Sequence, residues 1–112
     1  MHQLDLKYPT CPIRNVLSRF SDKWSLLILC TLEASGTLRY KKLNETIPDI
    51  SQKVLSGTLK RLEEDKLIVR KAYAEVPPRV EYSLTDMGKG IMPAVQMMIG
   101  WAQEHFEEIV SD

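Results

Sequence analysis

Lys53, Ser56, Gly57 and Lys60 recur at spacings of three and four, so a helix within residues 49–67 would carry them on one side. Two ammonium groups, a hydroxyl and a stretch of bare backbone can neutralise and hydrogen-bond a polyanion. They include no nucleophile paired with a base, so their chemistry is recognition rather than bond making. Gly57 costs an exposed helix about 1 kcal/mol relative to alanine, which suits a position where another molecule approaches the backbone. Ser51, directly ahead of the pattern, is placed to cap the helix by accepting a bond from one of its first free amides. Leu55, Leu59 and Leu62 fall within about 60° of one another on the opposite side and must be buried. Lys53, Lys60 and Arg61 precede Glu63, Glu64 and Asp65, the reverse of the order that the helix dipole favours. That order makes sense if the first half of the helix meets a polyanion and the acidic end stays outside, as when a recognition helix enters a major groove.

The elements that must position this helix can be read on either side of it. Residues 1–10 form an N-terminal arm, and Pro12 then suits the first position of a short helix with Ile13, Val16, Leu17 and Phe20 on one side. Ser21 or Asp22 can cap the next helix, KWSLLILCTLEAS, whose apolar run predicts the central core helix, with Cys30 as a small buried hydrophobe and Gly36 at its end. Residues 37–48 predict a short extended start and a helix carrying Tyr40, Leu43 and Ile47 inward, stopped by Pro48. The tight turn from there to Ser51 makes a helix-turn-helix arrangement.

After it come two runs with strand character, Ile68–Tyr73 and Arg79–Leu84, the second alternating Val80, Tyr82 and Leu84 against polar residues. They predict a β-hairpin with two prolines in its tip and Arg79 at the loop edge, from which an arginine can reach a minor groove. Thr85 is expected to cap one long helix over residues 85–112, with Ile91, Val95, Met98, Ala102 and Ile109 as its main stripe. Pro93, with Gly88 and Gly90, should bend or loosen its early turns. Met92, Met97, Ile99, Trp101 and Phe106 supply more apolar groups than one face can bury. A homodimer is therefore expected, with Ile13, Leu17, Ile91, Val95, Met98, Trp101 and Ala102 at its interface.

A chain of 112 residues with 44% hydrophobic content can bury one core, so residues 1–112 read as one domain. Lys and Arg number 15, as do Asp and Glu, and the net charge of zero announces no nucleic-acid partner by itself. Distribution says more. Arg39, Lys41, Lys42, Lys53, Lys60 and Arg61 face only Glu45 and Asp49 in the same segment, whereas Glu104, Glu107, Glu108 and Asp112 close a stretch that has no Lys or Arg after Gly100. No membrane span or signal-like apolar run is present, and a cytoplasmic protein is expected. Two cysteines without metal-ligand spacing and the solitary His2 and His105 predict no metal site, no cofactor and no enzyme.

Together these segments resemble the HxlR-type branch of the MarR-like winged-helix transcription regulators of bacteria and archaea. The carriers are CPI, DKWSLLIL, LRYKKL, ISQKVLSGTLKRLEEDKLI, EVPPRVEYSLT and TDMGKGI, spanning residues 11–101. The resemblance implies a mainly helical α+β fold, a winged helix-turn-helix with a two-stranded wing and extra N- and C-terminal helices forming a dimer interface. It implies sequence-specific binding of double-stranded DNA as a homodimer on an inverted-repeat operator, with repression the favoured outcome. Ser51, Gln52, Lys53, Ser56, Gly57 and Lys60 would lie at the groove, Arg79 on the wing, and Arg39 and Lys41 from the basic segment beside them.

Lys66 departs from the family, which often has glycine at this helix end; in a left-handed conformation lysine would add about 1 kcal/mol of strain. Cys11 precedes Pro12 at a helix start with Arg14 within a turn, a setting that lowers a thiol pKa. The resemblance adds that some members use this cysteine to sense electrophiles or oxidants; a structural role beside the dimer seam is the alternative. A small-molecule or oxidant effector would then act on the protein. The competing function is a winged-helix module that binds another protein and leaves its groove face unused.

Overall fold

A computed structural model describes residues 3–111; His2 and Asp112 lie outside them. The chain forms α1 (Lys23–Ser35), β1 (Thr37–Arg39), α2 (Tyr40–Thr46), α3 (Gln52–Glu64), β2 (Ile68–Tyr73), β3 (Arg79–Leu84), α4 (Asp86–Glu104) and α5 (Phe106–Val110). Ahead of α1, the expected first helix is instead one π turn, Pro12–Val16, followed by a 3-10 turn, Leu17–Arg19. Of its apolar residues only Phe20 is buried, while Ile13, Val16 and Leu17 face solvent. With no inward stripe, packing does not hold these residues in a regular helix.

Asp22, not Ser21, caps α1, accepting from the Ser25 amide at 3.2 Å and the Ser25 hydroxyl at 2.6 Å. Ile28, Leu29 and Leu32 make α1 the centre of the core, although Leu27 is exposed and Cys30 only half-buried. Gly36 closes α1 at φ 84°. The residues after it do more than lead into α2: β1 pairs antiparallel with β3, giving a three-stranded sheet in the order β1-β3-β2 rather than a two-stranded wing. Three residues carry too little alternation to reveal that pairing, which forms only because β3 comes back alongside. The hairpin itself has the expected ends, with Ile68 opposite Leu84 and Tyr73 opposite Arg79.

Leu43 and Ile47 of the α2 segment are buried, and Ile50 joins them to hold the turn into α3. At the far end, Lys66 is left-handed at φ 64°. The Lys66 amide donates to the Glu63 carbonyl and the Leu67 amide to the Leu62 carbonyl, each at 3.0 Å. This is the two-bond Schellman closure, with Leu62 and Leu67 buried beneath it, so the strain on lysine is offset by two satisfied carbonyls.

Thr85 ties this closure to α4. Its hydroxyl donates to the Lys66 carbonyl at 2.7 Å and accepts from the Gly88 amide at 3.0 Å, capping the helix as expected. Its own amide donates to the Leu67 carbonyl at 3.1 Å. A methyl group on Gly88 would overlap that same carbonyl, so Gly88 is where two backbones of the chain meet. Pro93 lies inside α4 without ending it. The last helix is not continuous: α4 stops at His105 and α5 begins anew. The inward set is Gly88, Met92 and Val95, with Ile91 and Ile99 partly buried at its sides. Val95, expected at a dimer seam, is thus part of the protomer core, and Met92 replaces Ile91 as the main inward residue.

Candidate nucleic-acid interface

Ser51 caps α3 by accepting from the Val54 amide at 3.1 Å. Leu55, Thr58, Leu59 and Leu62 are buried against the rest of the chain, leaving Gln52, Lys53, Ser56, Gly57 and Lys60 exposed together. Among the described residues, nothing beyond its chain neighbours and the helix's own backbone lies within 4 Å of a methyl built on Gly57, so the space over that backbone is open to another molecule.

At the acidic end of α3, one carboxylate is balanced inside the chain while Glu63 and Glu64 stay exposed. Asp65 pairs with Arg19 at 2.9 Å. Arg61 turns toward Asp22, 3.9 Å away, and toward the Thr58 hydroxyl at 3.5 Å, leaving Lys53 and Lys60 as the cations on the exposed side of the helix. Partial burial pushes the Asp22 carboxyl up, but the Ser25 hydroxyl and amide, with Arg61 beside it, outweigh that and hold it below the usual range.

Two flanks extend the surface. Arg39 and Lys41 line a shallow cavity of about 350 Å³ together with Tyr40, Pro78, Arg79 and Val80. The three candidate cations of α2 and the wing are therefore brought together, but Arg79 is not free. Its guanidinium lies 3.9 Å from the Tyr73 ring centroid, 3.1 Å from a Glu75 carboxylate oxygen and 3.9 Å from one of Glu81. Its Nε is buried without a hydrogen-bond partner, and the side chain is only 26% exposed. Arg79 does open β3 at the loop edge, but its side chain is stacked and ion-paired within the hairpin, because the strand register sets it opposite Tyr73.

On the other flank, Arg70 lines the gap between α3 and the wing with Ser56, Lys60, Glu63 and Tyr82. Lys71, on the opposite face of β2, is exposed with its Nζ 5.2 Å from the Tyr73 ring centroid. Neither residue follows from the helical pattern; the signal was the Arg-Lys pair inside a strand, where alternation sends one to each face. Tyr40 also escaped sequence reasoning. Its ring packs against the core as expected, but its hydroxyl reaches α3, 3.2 Å from the Gln52 carbonyl and 3.1 Å from the Ser56 hydroxyl. Tyrosine can join an apolar body to a polar tip, and periodicity registers only the body.

Cys11 is 1% exposed. The helix behind it is a single five-residue turn, too short for a sizeable dipole, and Arg14 donates to the Leu6 carbonyl at 3.1 Å rather than serving the thiol. Of the residues expected at a dimer seam, Ile13, Leu17, Met98, Trp101 and Ala102 are exposed, Ile91 is partly buried and Val95 is enclosed. Met97, Phe106, Ile109 and Val110 add to the exposed apolar set, and His105 stacks on Trp101 with ring centroids 4.6 Å apart. Among the described residues, no helix is long and apolar enough to cross a membrane.

A helix-turn-helix with a β wing and an exposed polar recognition helix defines the class: a winged-helix regulator fold. Residues 19–110 match the family described as HxlR-like helix-turn-helix. An HTH-type transcriptional regulator of Methanothermobacter thermautotrophicus is 42% identical over 93 residues, covering 83% of this chain and 70% of that protein. The HTH-type transcriptional regulator YtfH of Escherichia coli is 38% identical over 101 residues, covering 90% of this chain and 79% of that one. Among solved structures, the redox regulator HypR in its reduced form matches with a TM-score of 0.82 and 31% identity over 90% of this chain and 99% of that one. The reduced form of the regulator YodB from B. subtilis matches at 0.73 and 37%, covering 84% and 92%. The chain belongs to the HxlR-like helix-turn-helix family and is a transcriptional regulator with a DNA-binding fold.

Proposed function

We propose that this single domain is a cytoplasmic, sequence-specific repressor that binds double-stranded DNA as a homodimer on an inverted repeat. The observation that carries this reading is α3: its leucines are buried inside the chain, while Gln52, Lys53, Ser56, Gly57 and Lys60 face outward with no ion pair among the described residues. Ser51 at the cap, Arg39 and Lys41 on one flank and Arg70 on the other continue this surface toward the phosphate backbone. Arg79 serves by holding the wing in shape. Two copies joined through the exposed residues of α4, α5 and the N-terminal turns would present paired recognition helices to half-sites about 34 to 36 Å apart.

Titration of the DNA upstream of the gene and its neighbours, against salt and non-specific duplex, tests this. Specific binding should fall steeply with salt, and Lys60→Ala should weaken binding to all sequences alike and reduce the salt slope by about one. Binding no tighter than to the competitor would sink the reading.

A redox response through Cys11 is its finer part, supported by the likeness to HypR. With the thiol 1% exposed, the N-terminal turns must open before an oxidant reaches it. Oxidant should therefore release the wild-type protein from DNA slowly and leave Cys11→Ser bound; equal release of both would remove the sensor role.

A further inference from the structure

The Tyr40 hydroxyl has one proton and two neighbours, the Gln52 carbonyl at 3.2 Å and the Ser56 hydroxyl at 3.1 Å. A carbonyl oxygen can only accept, so the Tyr40 proton goes to Gln52 and the Ser56 proton goes to Tyr40. The chain of bonds has one direction: Ser56 Oγ–H to Tyr40 Oη–H to the Gln52 carbonyl. Ser56 is exposed in the middle of the α3 surface, beside Gly57, where the space over the backbone is open. With its only proton turned back into the protein, what it offers outward is lone pairs.

Resting on the reading of α3 as a recognition helix, we propose that Tyr40 is a positioning residue that makes Ser56 an acceptor-only group, so that Ser56 selects an exocyclic amine of adenine or cytosine in the major groove. Phosphate oxygens, guanine N7 and O6 and thymine O4 are all acceptors and give such a group nothing to bind. A free serine would donate to any of them and read no base strictly; Tyr40 removes that freedom. Tyr40 acts through the proton it takes from Ser56.

The test measures affinity for an operator in which each adenine is replaced in turn by purine and each cytosine by 2-pyrimidinone, analogues that lack only the exocyclic amine, with wild type, Tyr40→Phe, Ser56→Ala and the double variant. Wild type should show one position per half-site where removing the exocyclic amine weakens binding by roughly three- to tenfold, the range of one hydrogen bond. Tyr40→Phe should erase that preference while keeping the thermal midpoint, the salt slope and preferences elsewhere. Ser56→Ala should erase the same preference, and the double variant should lose no more than either. An unchanged preference map in Tyr40→Phe, or a Ser56-dependent position at which removing the amine changes nothing, would overturn the proposal while DNA recognition stands. A wild type without base preference anywhere would overturn both.

Discussion

α3 and α4 are both amphipathic helices, and they are satisfied in different ways. Every leucine on the inner stripe of α3 is buried within the chain, and Asp65 at its C-terminal cap is paired with Arg19. α4 is enclosed only through its first half, at Gly88, Met92 and Val95; beyond it Met97, Met98 and Trp101, then Phe106 and Ile109 of α5, stay exposed. The exposed side of α3 thus carries little structural duty beyond the Ser56–Tyr40 hydrogen bond. The far half of α4 is unfinished, because its hydrophobic area gains stability only when another surface removes it from water.

The contrast is sharpest at two helical glycines. Gly88→Ala drives a methyl into the Leu67 carbonyl and should cost about 3 kcal/mol in urea unfolding. Gly57→Ala meets open space and should stabilise the fold by about 1 kcal/mol while weakening DNA binding. Equal effects on stability would break the contrast. Charging the far half of α4 with Met98→Glu and Trp101→Glu should weaken self-association by roughly 2 kcal/mol or more, read by sedimentation, with the protomer still folded. Lys60→Ala should leave association untouched; a monomeric wild type would remove the inference of a partner.

At the junction between the two helices, Lys66→Gly relieves a left-handed lysine and should raise stability by about 1 kcal/mol without changing base preference. The smallest effect concerns acid. The Asp22 carboxyl is held below its usual range, so its contribution is present above the unfolded pKa and is lost as pH falls through the lowered folded value. Asp22→Asn should flatten the acid limb of the stability curve near α1 and α3; an identical acid limb would show that Ser25 does not hold the carboxylate.

Much was legible in residue order. The caps at Ser51 and Thr85, the inward Leu43, Ile47, Leu55, Leu59 and Leu62, and both strands of the hairpin follow from periodicity and capping chemistry, which act over a few residues. The exposed side of α3 was legible for the same reason, since burying one stripe of a helix determines what the other side presents. What only the tertiary structure decided were meetings between distant residues: β1 beside β3, Tyr40 under Ser56, Arg79 on Tyr73 between two glutamates, and Gly88 against Leu67. Each depends on register and approach distance across the fold. A local pattern carries neither, because hydrophobic spacing says that a face is buried and not which side chain waits on the other side.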